Sequence, residues 1–175
     1  MFLGFTGEYQ QKVDGKGRLS VPADFRRVLE AGDPAARDGG ALPGLYVQYG
    51  PHLKGCLMVQ TVDAFADIMN TIMSIRPRTA AEAEARRLAQ VSILGNTIRL
   101  ELDRDGRVVL PQRQRAKLGL AEGEVVILGL GDNFEIWPAA SYESQVAAPA
   151  AERLEEMGAA HDPMTAIWAL TGPEP

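Results

Sequence analysis

Two short stretches hold the residues best suited to chemistry, "VDGKGRLSVP" at 13–22 and "LDRDGRVVLP" at 102–111. Each has an Asp, a Gly three residues on and an Arg directly after it: Asp14, Gly17 and Arg18, then Asp103, Gly106 and Arg107. A carboxylate suits the start of a turn because it accepts hydrogen bonds from the backbone N–H groups that follow. Glycine supplies the positive φ that tight hairpin turns require. The Arg offers a planar fork of donors matched to guanine O6/N7 or to a phosphate. Lys16 in the first turn and Arg104 in the second add cations. Two readings of this pattern compete. In one, paired hairpins present guanidinium groups to DNA, whose major groove admits a two-stranded ribbon. In the other, each Arg is only the salt-bridge partner of its Asp, and the turn is scaffold. A single copy favours scaffold, whereas the same spacing written twice brings the two readings level.

Other candidates for chemistry fall away. The "GKG" at 15–17 lacks the spacing of a phosphate-binding loop and is followed by a strand, not a helix. His52 and His161 have no second His or Cys at metal-ligand spacing and read as surface residues. Cys56 precedes an apolar strand and reads as a small buried hydrophobe. Ser20 has no His nearby in sequence, and Asp103 and Asp105 would point to opposite sides of an extended turn. The expectation is therefore a protein that is not an enzyme, with no cofactor, no metal and no small-molecule substrate.

The elements that must position the two turns are themselves written twice. Arg26 aligns with Arg115, and "CLMVQTVDAF" (56–65) resembles "NFEIWPAASY" (133–142), with Leu57 on Phe134, Val59 on Ile136 and Phe65 on Tyr142. A Gly/Pro/Ala-rich insertion at 31–43 lengthens the first copy. Each copy parses as an alternating strand, the turn, a short strand, a Pro opening a short helix, two more strands and a helix. Ile98, Leu100 and Leu102 alternate with Arg99 and Glu101 in the leading strand of copy two, while Phe25, Val28 and Leu29 give the first short helix an apolar face. Gly119 is placed to cap the second short helix. The helix at 62–75 carries Met69 and Met73 at core or subunit-interface spacing. The expected division is a first unit at 5–75, a connecting helix within 76–95 opened by a Thr79/Glu82 capping box, a second unit at 96–145, and an acidic, partly disordered tail at 146–175.

Bulk properties bound the function. The net charge of −5 hides a split: residues 1–121 carry 17 Lys and Arg against 13 Asp and Glu, and residues 122–175 carry one against ten. Such asymmetry suits a basic working face with an acidic tail, although charged surface also serves solubility alone. Arg99, Arg104, Arg107, Arg113, Arg115 and Lys117 form a basic patch in sequence around the second turn, thinner in the first copy with Lys12, Lys16, Arg18, Arg26 and Arg27. A single Cys allows no disulfide within the chain and fits a reducing cytoplasm. No apolar run is long enough to span a membrane, and the N-terminus does not read as a signal peptide.

Motif, duplication and flanks together resemble the MraZ family of bacterial transcriptional regulators: "MFLG", "GEYQQKVDGKGRLSVPADFR", "LDRDGRVVLPQRQRAKLGL" and "EVVILGLGDNFEIW". The resemblance covers about residues 1–30 and 44–145. It implies two tandem SpoVT-AbrB-type units with swapped hairpins, mainly β with short helices (α+β), forming a pseudo-twofold β-barrel. It also implies a ring-shaped homo-oligomer that binds double-stranded DNA at direct repeats upstream of its own division and cell-wall gene cluster, in the cytoplasm and associated with the nucleoid. Arg18 and Arg107 are the DNA contacts that the motif carries over, with Lys16 in the same turn; Arg104 is added as a basic neighbour. Asp14, Gly17, Asp103 and Gly106 are the turn's structural residues. An antitoxin-like protein-interaction module is the alternative. A self-processing decarboxylase on a related barrel would need a Gly-Ser cleavage site, and the sequence contains no Gly-Ser dipeptide.

Overall fold

A computed structural model describes residues 3–158 and 162–171, so His161 and the last residues of the tail lie outside the described residues. The chain divides into two compact units, residues 1–139 and 140–175. In the first, β1 (Phe5–Val13) and β2 (Arg18–Ser20) lead to α1 (Ala23–Ala31) and α2 (Pro34–Arg37). β3 (Gly44–Gln48), β4 (Leu57–Gln60) and α3 (Val62–Ser74) complete the first copy. Next comes α4 (Ala80–Ser92), then β5 (Thr97–Glu101), β6 (Arg107–Val109), α5 (Gln112–Lys117), β7 (Gly123–Gly131) and β8 (Asn133–Pro138).

All eight strands join one antiparallel sheet in the order β5-β3-β4-β8-β7-β1-β2-β6. Its two ends meet at the second turn, where the Asp103 N–H donates to the Arg107 carbonyl at 2.7 Å, so the sheet is a nearly closed barrel. Four ladders join strands of different copies: β1 with β7, β2 with β6, β3 with β5 and β4 with β8. The registers obey a pseudo-twofold axis. Leu19 faces its own counterpart Val108, while Leu57 faces Ile136 and Val59 faces Phe134, each opposite the counterpart of the other. The expected pseudo-twofold barrel of tandem swapped units is what the chain builds.

Strand alternation fills the barrel. Val13, Leu19, Leu45, Val47, Val59 and Leu110 are fully buried, and Phe5, Phe25 and Phe134 meet edge-on or tilted with ring centroids 5.0–5.1 Å apart. Contacts of this kind add about 0.5–1.5 kcal/mol beyond area burial.

Local chemistry departs from expectation in three places. Pro22 and Pro111 are the N-cap residues of α1 and α5 and do not open their first turns. Extended ψ values of 143° and 161° let each fixed-φ proline bend strand into helix. The insertion is not loop throughout. Asp33 caps α2 by accepting the Ala35 N–H at 3.1 Å, and its other oxygen accepts the Gly44 N–H at 2.8 Å, which ties the insertion to the start of β3. Met69 and Met73 are exposed, which departs from the core half of their reading and leaves the subunit-interface half untouched; Phe65 and Ile72 are the buried residues of α3. Elsewhere the reading of the helix ends matches: Thr79 Oγ1 accepts the Glu82 N–H, and Gly119 follows α5 with a φ of +69°. Glu82 completes its box on the Arg78 N–H, one residue early.

Across the boundary into the second unit, α6 (Ala139–Tyr142) passes through a π turn (Glu143–Ala147) into α7 (Ala148–Glu156), and α8 (Pro163–Thr171) comes later in the chain. Pro149 lacks an N–H and crowds the carbonyl four residues back, which accounts for the widened turn.

Candidate nucleic-acid interface

The two turns are near copies in atomic detail. Asp14 Oδ1 accepts the N–H groups of Lys16 and Arg18, both at 2.9 Å, and the Asp14 carbonyl accepts the Gly17 N–H at 2.9 Å. Asp103 Oδ1 likewise accepts the N–H groups of Asp105 and Arg107 at 2.9 Å, and its carbonyl accepts the Gly106 N–H at 3.0 Å. The second oxygen of each Asp takes the Nε–H of its arginine, at 3.0 Å for Arg107. Gly17 and Gly106 hold φ values of +82° and +73°. Both readings of the Asp–Arg pair are therefore geometrically compatible. An arginine held at Nε still has its two Nη groups for other partners, and Arg107 gives one of them, Nη2, to Asp105 at 2.8 Å.

The backbone N–H of Arg18 is the largest influence holding the Asp14 carboxyl below its ordinary value of 3.8, and that of Arg107 does the same for Asp103. The arginine side chains and the N–H groups of Lys16 and Asp105 add to the effect. A depressed folded-state pKa contributes stability that is present above the ordinary value and lost as pH falls through the lowered one. Both turns should thus stay closed at neutral pH and loosen together only below 3.8. An NMR titration of the Arg18 and Arg107 amide shifts checks this; a midpoint at or above 3.8 would contradict it.

The β2–β6 ladder brings the arginines together. Leu19 and Val108 point inward, which turns Arg18, Ser20, Arg107 and Val109 to the outer face. Arg18 pairs with Val109 and Arg107 with Ser20, so the arginines are diagonal neighbours, about 7–8 Å apart. Lys16 and Arg104 are exposed on turns at opposite ends of the ladder. The register thus sets Arg18 and Arg107 on the outer face between those two turns.

Each copy's helix supports the other copy's turn. Gly17 O accepts the Leu110 N–H at 2.8 Å, and Gly106 O accepts the Val21 N–H at 3.0 Å. The Arg115 side chain lies on Gly17 and donates to the Leu110 and Ala121 carbonyls at 3.1 and 2.8 Å. Arg26 lies on Gly106 in the matching place. Sequence reading aligned these two arginines without giving them this role; their shared spacing from the turn glycine was the signal. The rest of the basic patch is dispersed. Arg99 pairs with Asp33 and Glu101, Arg113 sits over the Tyr49 ring at 5.1 Å, and Lys117 donates to the Gly50 carbonyl at 3.0 Å.

Cys56 is buried, and its thiol is pushed up to about 12 by burial, which fits an inert packing residue. Among the described residues no three His, Cys, Asp or Glu side chains gather to hold a metal ion.

Comparison with known proteins matches this chain to the family model described as "MraZ protein, putative antitoxin-like", over residues 4–33 and 93–161, spans that include both turns. The chain is 41% identical over 160 residues to a protein of Ruegeria pomeroyi named transcriptional regulator MraZ, covering 91% of this chain and 92% of that one. Proteins of the same name from Ruegeria sp. and Cereibacter sphaeroides are 36% and 35% identical, over 91% and 85% of this chain and 92% and 88% of theirs.

Proposed function

The chain belongs to the MraZ family, and from that premise we propose that it regulates transcription by reading double-stranded DNA with Arg18 and Arg107 on its β2–β6 face and Lys16 and Arg104 on the flanking turns. The observation that carries the reading is the pair of Nε-anchored arginines on one outward ladder. A major groove about 12 Å wide accepts the two central arginines at base edges. Lys16 and Arg104, exposed on the turns beyond the two ends of the ladder, would reach the phosphates on either side. Arginines about 7–8 Å apart belong to one groove, so successive grooves fall to successive protomers.

Few contacts per protomer bind weakly, and assembly offsets this through effective concentration on repeated sites. Exposed Met69, Met73, Ile75, Leu88 and Val91 on α3, α4 and the link between them support association with further copies, as a ring would require. The site follows from the resemblance: direct repeats upstream of the chain's own gene cluster, reached in the cytoplasm at the nucleoid. Chemistry is not part of the reading, since the named relatives are regulators.

Fluorescence anisotropy against the upstream DNA and a shuffled duplex, across a salt series, tests the proposal. With two phosphate contacts per protomer, log K should fall with log salt at a slope of about −2 for each protomer engaged. Equal, weak binding to both duplexes would defeat the DNA reading and favour the antitoxin-like interaction module.

A further inference from the structure

The pseudo-twofold axis relates the two hairpins, yet their charges do not match. Lys16 in the first turn corresponds to Asp105 in the second. Asp14 is the one carboxylate bonded to the Arg18 guanidinium, and neither Nη group of Arg18 has a partner among the described residues. Arg107 is clasped twice: its Nε donates to Asp103 at 3.0 Å and its Nη2 to Asp105 at 2.8 Å. Glu122 also approaches the first turn, with a carboxylate oxygen 3.3 Å from the place a Cβ on Gly15 would take, but it forms no ion pair with Arg18.

We propose that Asp105 is an internal competitor for the DNA-facing edge of Arg107, making the second hairpin a restrained reader and the first the principal one. The inference rests on the DNA-reading role assigned above. A carboxylate on Nη2 occupies the edge that a guanine or a phosphate would take, so DNA must displace it and forgo a charge-assisted bond. The first hairpin carries no such cost and adds the Lys16 charge. Two equal heads about a twofold axis would read an element with dyad symmetry. Unequal heads read an element with a direction, and copies of such an element recur as direct repeats.

A double-mutant cycle tests this in the full chain. Asp105→Asn keeps the residue's backbone N–H bond to Asp103, so the melting temperature should not move. Affinity for the upstream DNA should rise about 3- to 10-fold, within the range for one charge-assisted contact regained. In an Arg107→Ala background the same change should have no effect. An equal gain in both backgrounds would reduce Asp105 to a generic negative charge and overturn the inference, as would no gain in either. The parent reading fails differently: Arg18→Ala and Arg107→Ala would then both leave DNA binding unchanged. Selection from random duplexes adds a second arm. The wild type should return an element without dyad symmetry, and Asp105→Lys should shift it toward one; a palindromic wild-type element would overturn the directional part.

Discussion

Replacing Arg18 with Ala is expected to lower affinity for the upstream DNA about 10- to 100-fold per engaged protomer, the discrimination that one bidentate arginine–guanine pair supplies. Binding to a shuffled duplex should fall far less, because the phosphate contacts proposed for Lys16 and Arg104 would remain. The loss compounds when several protomers share a repeated site. The fold should survive. Asp14 retains its bonds from the Lys16 and Arg18 backbone N–H groups, and the Arg18 side chain is 38% exposed outside the barrel. A melting temperature within about 2 °C of wild type, with the circular dichroism spectrum preserved, is the expected control. Anisotropy on the two duplexes decides the matter. A mutant that loses the two duplexes equally, or neither, would return Arg18 to the role of salt-bridge partner; one that loses its dichroism would make it scaffold.

The largest stability effect is expected at Gly17. Its φ of +82° costs an alanine about 1–2 kcal/mol, and a Cβ there would meet the Leu110 carbonyl oxygen inside contact distance. That carbonyl belongs to the strand end whose N–H donates to Gly17 O, so relief of the clash also strains the bond between the two copies. Adding about 1 kcal/mol for that bond gives roughly 2–3 kcal/mol for Gly17→Ala. In a domain of this size the melting temperature should fall by about 4–12 °C. Gly106→Ala should cost less. Its φ is similar at +73°, but the added methyl meets the Arg26 side chain, which can swing away, where Gly17 meets fixed backbone. Thermal unfolding of the two variants gives the ranking, and the reverse order would show that Arg26 is the more rigid support.

Much of this was legible because its causes are local. Asp, Gly and Arg at fixed offsets define a turn within five residues, and alternation in 97–101 needs only its own side chains to declare a strand. The duplication was legible as well, and aligning Leu57 with Phe134 and Val59 with Ile136 already encoded the register that the twofold axis realises. What local pattern cannot carry is partnership at a distance. Nothing near Gly106 in the chain says that Arg26 will lie across it, and a run of basic residues from 99 to 117 does not reveal that Asp33, Tyr49 and the Gly50 carbonyl will claim three of them. Asp33 was hidden in a segment whose Gly and Pro content reads as loop, and its bond from the Gly44 N–H depends on where that residue arrives.

The cross-copy pairing of β1 also bears on how the protein emerges from the ribosome. β1 is made well before the strand that flanks it on one side, β7, which lies more than a hundred residues downstream. At about 5–20 residues per second the nascent chain waits roughly 5–25 s before that edge can be filled. An open strand edge is a template for pairing with neighbouring nascent chains. Thr6, Glu8, Gln10 and Lys12 alternate along β1, a polar and charged pattern that discourages such pairing during the wait. Slowing translation through the first copy should therefore be tolerated, whereas removing the charges at 8 and 12 should show first as aggregation during synthesis and only later, if at all, as instability of the finished barrel.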